Sequence, residues 1–144
     1  MKRHLRNIAF LAVLILTIAG PAAQAQSKAP VDPNAMLNAG IQAAQMIDAG
    51  RAGELWDGAS AITKRAVTRK AFQDQVKKAR DSIGTAASRD WLSVTRETIQ
   101  DKNTGGEYIS LRYAVSFAKR PGVELISFRR DEDGMWRWAG YVVQ

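Results

Sequence analysis

Three observations predict an α+β fold: apolar residues recur at helical spacing as far as Ile83, they alternate with polar ones from Leu92 onward, and Gly84 marks the switch between the two periods. Three helices therefore precede four strands joined by short turns. That order lays the N-terminal helices on the apolar face of a curved four-stranded antiparallel sheet. One domain is expected over 32–144, because no Pro-, Gly- or Ser-rich linker divides it and no segment repeats.

Ahead of that domain the chain has a different character. Met1-Lys-Arg-His-Leu-Arg6 is basic, Ile8 to Ala19 is apolar, and Ala23-Gln24-Ala25 has the small-x-small form of a cleavage site. Residues 1–25 are thus expected to be a signal peptide cut after Ala25, and 26–31 a disordered lead-in. An apolar run of about a dozen residues falls short of the ~20 that span a bilayer, so no membrane anchor is expected after cleavage. With no cysteine, the chain forms no disulfide and carries no lipid on a cysteine. These features point to a periplasmic or secreted protein. Removing Lys2, Arg3 and Arg6 lowers the formal charge from +7 to about +4, a modest excess that does not call for a nucleic-acid partner.

The first helix opens on Asp32 as N-cap with Pro33 at its first position, where the missing N–H costs nothing. Leu37, Ile41, Ala44 and Ile47 make its apolar stripe, and Gly50 ends it. A second helix is expected from Gly53 or Glu54 to about Lys64, with Leu55, Trp56, Ala59 and Ile62 facing inward. Thr68 caps the third, in which Phe72, Val76, Ala79 and Ile83 keep strict helical spacing.

Among the strands, Leu92, Val94 and Arg96 share one face of the first. Asn103-Thr-Gly-Gly106 turns the chain, and Ile109, Leu111, Tyr113, Val115 and Phe117 line the second. Arg120-Pro-Gly122 suits a type II turn. Glu124, Ile126 and Phe128 then share a face, and the acidic Asp131-Glu-Asp-Gly134 leads into a face of Trp136, Trp138, Gly140 and Val142. Trp136 is expected in the core, with Trp138 nearer any opening.

Catalytic equipment is scarce. The single histidine, His4, lies in the signal, so the mature chain has neither His nor Cys and lacks the Ser-His-Asp, Cys-His and common zinc constellations. A calcium loop begun at Asp131 would need glutamate where Val142 stands. Ser116-Phe-Ala-Lys119 matches S-x-x-K, but strand alternation sends Ser116 and Lys119 to opposite faces. No catalytic residue, metal site or cofactor is therefore expected. Arg112, Arg129 and Arg137 fall on polar strand faces, as a solvated surface or a docking surface for an acidic partner or anionic envelope polymer. Arg96 and Glu124 continue apolar faces and belong at the rim of the core, as an ion pair or snorkelling side chains, or lining a ligand pocket with Tyr113 and Trp138.

Met46-Ile-Asp-Ala-Gly50, Leu55-Trp-Asp-Gly-Ala-Ser60, Arg80-Asp-Ser-Ile-Gly84 with Ser88-Arg89, Gly106-Glu-Tyr-Ile-Ser110, and Asp133-Gly-Met-Trp136 with Gly140-Tyr141 together resemble the spaced motifs of DUF4019, a bacterial family of unknown function. The likeness covers nearly the whole mature domain and implies a cystatin-like or NTF2-like roll, with no reaction to carry over. The function expected is that of an exported, non-enzymatic protein binding a small ligand or an envelope protein through its sheet. Two alternatives are an enzyme of the ketosteroid-isomerase kind, with Glu124 as base and Tyr113 as oxyanion donor, and a structural or stress-related envelope component without a ligand.

Overall fold

The structure, a computed structural model, describes residues 30–144; the expected signal peptide and residues 26–29 of the lead-in lie outside the described residues. Four helices and four strands follow one another: α1 (Pro33–Asp48), α2 (Ala52–Asp57), α3 (Ala61–Ala66), α4 (Arg69–Ile83), β1 (Ala86–Ile99), β2 (Gly106–Phe117), β3 (Pro121–Arg130) and β4 (Trp136–Val143). The strands form one open antiparallel sheet in the order β1-β2-β3-β4, with the helices before it. No helix among the described residues is long and apolar enough to cross a membrane.

The expected caps are in place. Asp32 accepts from the Asn34 amide at 2.9 Å, and Thr68 from the Ala71 amide at 3.2 Å. The expected second helix, however, is two short ones. Between them Gly58, Ala59 and Ser60 leave the helical path to join the sheet: Ala59 bridges Trp138, and the Ser60 amide donates to the Trp138 carbonyl at 2.8 Å. The Asp131 carboxylate fixes the break by accepting from Ser60 Oγ at 2.5 Å. Burial raises the Asp131 pKa, but the Ser60 hydroxyl and the Arg129 guanidinium more than compensate and leave it lowered.

Three faces differ from simple periodicity. In α1 the buried stripe is Gly40, Ala43, Ala44 and Ile47, whereas Ile41 is exposed. Small residues there let α1 lie close on β2, where a Cβ on Gly40 would sit 2.6 Å from Tyr113 Oη. In β4 a bulge at Ala139 shifts the pairing from Phe128 with Trp138 to Ser127 with Gly140. Beyond it, Tyr141 and Val143 turn inward in place of Gly140 and Val142, and Val142 is 47% exposed. In β1 a second bulge at Leu92 puts Trp91 opposite Tyr113 and Val94 opposite Leu111, so Trp91, expected on the other face, joins the side of Val94 and Arg96.

The chain also turns earlier than Arg120-Pro-Gly122. Pro121 and Gly122 already pair with Ser116 and Val115, and Gly122 has no positive φ. Gly134 has φ +82°, as its turn requires. The core packs Phe72 and Val76 of α4 and Ile47 of α1 against Leu111, Tyr113, Val115, Ile126, Phe128 and Trp138. Trp138 is 4% exposed, its ring centroid 4.7 Å from that of Phe72, while Trp136 is half-buried at the edge. The two tryptophans thus reverse the expected order of depth.

Candidate functional site

Five elements send a charged or phenolic side chain to one place. Glu124 lies in β3 where alternation turns it inward, and it is fully buried. One oxygen accepts from Arg80 of α4 at 2.9 Å, from Arg89 of β1 at 3.2 Å and from the Tyr141 hydroxyl of β4 at 2.7 Å; the other accepts from Arg89 Nε at 2.5 Å. Both guanidiniums reach on to Asp48, the last residue of α1, at 2.6 Å. The Arg80 guanidinium also lies over the rings of Phe117 and Tyr141, with 5.0 and 5.9 Å to the centroids.

The arrangement alternates in sign: Asp48, the two arginines, Glu124. A carboxylate at the negative end of a helix is unfavourable alone, and here two guanidiniums compensate it. Burial works against the charge of Arg89, yet its hydrogen bonds to Asp48 and Glu124 leave its pKa raised. Burial and the adjacent Glu124 charge hold the Tyr141 hydroxyl well above its usual range.

Such a cluster binds elements together more readily than it moves protons. A general base needs a free lone pair aimed at substrate, and Glu124 has neither exposure nor an idle oxygen. Tyr113 pairs laterally with Glu124, and its hydroxyl is buried without a hydrogen-bond partner against α1. Burial raises its pKa. Among the described residues no group of three or more acidic or histidine side chains converges as a metal site.

Of the four residues expected to line a pocket, only Tyr113 and Glu124 come together. Arg96 is on the same face of the sheet but toward its other end, opposite Ile109, and it bonds Glu107 at 2.5 Å. Its expected proximity to Glu124 fails because pairing sets Glu124 opposite Tyr113, not Ile109. Trp138 belongs to the core under Phe72. The expected basic outer face is largely neutralised: Arg129 pairs with Asp131 at 2.8 Å and Arg137 with Asp133 at 2.7 Å, leaving Arg112 exposed.

Asp48, Arg80, Arg89 and Tyr141 were missed because their own periodicity placed them on no buried face. One signal did contain them: all four lie within the segments that carry the family resemblance. A cleft of about 700 Å³ opens beside the cluster and is lined by Asp48 and Arg80 but by none of the four expected pocket residues.

The two edges of the sheet differ. β4 is closed by the Ala59 bridge, the Ser60 amide and a bond from Thr63 Oγ1 to the Ala139 carbonyl at 2.8 Å. Among the described residues β1, at 14 residues the longest strand, has β2 on one side and no strand on the other. It carries Trp91, Leu92, Val94 and Ile99, four of the seven large apolar side chains exposed among the described residues.

No curated protein matches the chain. The family model for a protein of unknown function, DUF4019, matches residues 39–141, which include every member of the charged cluster, all of β1 and β4 as far as Tyr141, and the chain belongs to that family.

Proposed function

We propose that this chain is an exported, non-enzymatic protein that binds another envelope protein through the β1 edge of its sheet. The observation that carries this reading is the contrast between the edges: β4 is sealed by the α2–α3 connection, whereas β1 leaves a long strand and a concentration of exposed apolar side chains in solvent. A long edge with apolar residues is a liability in a monomer and a resource in a complex. Charges at Arg89, Asp90, Arg96 and Glu97, together with the bulges, blunt uncontrolled pairing while leaving Trp91 and Val94 available for a specific contact. Export rests on the basic, apolar and Ala23-Gln24-Ala25 segments. The likeness to cystatin-like or NTF2-like rolls is part of the same reading, since it carries helices on one face of a curved sheet.

The test is site-specific photocrosslinking in a producing bacterium, with the crosslinker at position 91 or 94 and, as control, at exposed Val142 beyond the sealed edge. A discrete crosslinked partner from β1 in the periplasmic fraction, absent from position 142, is the expected result. Equal labelling at both sites, or none from β1, overturns the proposal. Retention of Met1 in a membrane fraction overturns export.

The packed surroundings of Glu124 favour a structural envelope component as the second reading, ahead of an isomerase-like enzyme. A ligand-free component predicts no partner from β1.

A further inference from the structure

The cleft beside the charged cluster lies where α1 and α4 both end, and of β1 only its first residue, Ala86, lines it. Its volume of about 700 Å³ is within the range of small-molecule sites. Ile47, Ala52, Val76 and Ala86 give it an apolar lining. Around them the charges are nearly all committed. Asp48 holds Arg80 and Arg89, Asp74 holds Lys70 at 2.5 Å, and Asp81 holds Lys77 at 2.6 Å.

Lys119 is the exception. Among the described residues no carboxylate pairs with it; its Nζ donates instead to the backbone carbonyl of Asp81 at 2.5 Å, in the last turn of α4. It is exposed and lines the cleft. Each acid of the lining already has a base, whereas this base has no acid, so an ammonium ligand would meet no unmatched carboxylate and an anionic one would meet Lys119. An apolar body would bury against Ile47 and Val76.

We infer that this cleft is a binding site for a small amphipathic monoanion, with its apolar body on Ile47, Ala52, Val76 and Ala86 and its carboxylate or equivalent head on Lys119. The head group is solvent-facing, so its charge adds a modest, salt-sensitive increment to an affinity set mainly by apolar burial.

The experiment titrates the full chain, labelled in its isoleucine and valine methyls, with decanoate, decanol and decyltrimethylammonium, each below its micelle-forming concentration. Decanoate is expected to shift the Ile47 and Val76 methyls and to bind more tightly than decanol, with decyltrimethylammonium weakest. Lys119→Met should weaken decanoate by about threefold to fivefold, as an exposed ion pair allows. It should leave decanol unchanged, and Lys119→Arg should restore decanoate. If Lys119→Met leaves decanoate unaffected, or decanol binds as tightly as decanoate, the anionic class is wrong. If none of the probes moves Ile47 or Val76, the cleft is not a ligand site. Neither failure touches the β1 proposal, which crosslinking tests separately.

Discussion

Tyr141 donates one hydrogen bond to a buried carboxylate, so Tyr141→Phe should cost about 1–2 kcal/mol in urea denaturation at neutral pH. The sign of its pH dependence follows from its raised pKa. An unfolded tyrosine loses its proton near 10, while burial and Glu124 keep it on the folded protein. The associated stability is therefore complete below about pH 10 and lost as pH rises toward the higher folded value. Tyr141→Phe should flatten that alkaline decline, leaving the smaller slope from Tyr113, whose pKa burial also raises. Parallel declines in both proteins would show that the phenol is not the titrating group. Gly134, at φ +82°, gives a second prediction: Gly134→Val should lower stability by about 1–2 kcal/mol, since a β-branched side chain is penalised there, and an unchanged denaturation midpoint would contradict it.

For the elements, propensity and packing make opposite predictions at Gly40, which decides between them. Alanine in a helix interior is favoured over glycine by about 1 kcal/mol. Here its Cβ would press on the Leu111 side chain and the Tyr113 hydroxyl, an overpacking that costs about 1–3 kcal/mol. Gly40→Ala should therefore lower the melting temperature; a rise would mean that α1 is not held so closely to the sheet. The same residue shows what the sequence made legible. The switch of period at Gly84, the caps at Asp32 and Thr68 and the antiparallel order of strands followed from local rules, because each depends on neighbours within a few residues. The face of α1 followed only in part: Ala44 and Ile47 are buried and Leu37 packs against the core as expected, but Ile41 is exposed, while Gly40 and Ala43, which add little to an apolar stripe, are buried instead. Bulges at Leu92 and Ala139 shift the register by one residue without any sequence mark, and Tyr141 turned inward for that reason alone. Glu124 was legible as an inward carboxylate. Its partners were not, since Arg80 and Arg89 lie 44 and 35 residues away in the chain.

Across the whole molecule, Glu124 is the point where α4, β1 and β4 meet β3, with α1 joined through Asp48. The α2–α3 connection is hydrogen-bonded to β4, but α1 and α4 rest on the sheet by apolar contact, which fixes their position less sharply than the alternating carboxylates and guanidiniums do. Removing the central charge leaves two guanidiniums in a nearly buried site, both 13% exposed, with only Asp48 to share. Breaking such a buried pair costs about 3–5 kcal/mol, a large part of the 5–15 kcal/mol that holds a domain together. Glu124→Gln, close in shape but uncharged, should therefore lower the urea midpoint sharply, whereas removing the exposed Lys70–Asp74 pair should hardly move it. Size alone does not prove a clamp, because any buried substitution can be costly. The double variant Glu124→Leu with Arg89→Met separates the cases: if the two charges act on each other, it should be more stable than the sum of the single changes implies, by about 0.5–3 kcal/mol. Strict additivity would mean that each residue acts through its own packing, and that the helices are held to the sheet by the apolar core without this cluster.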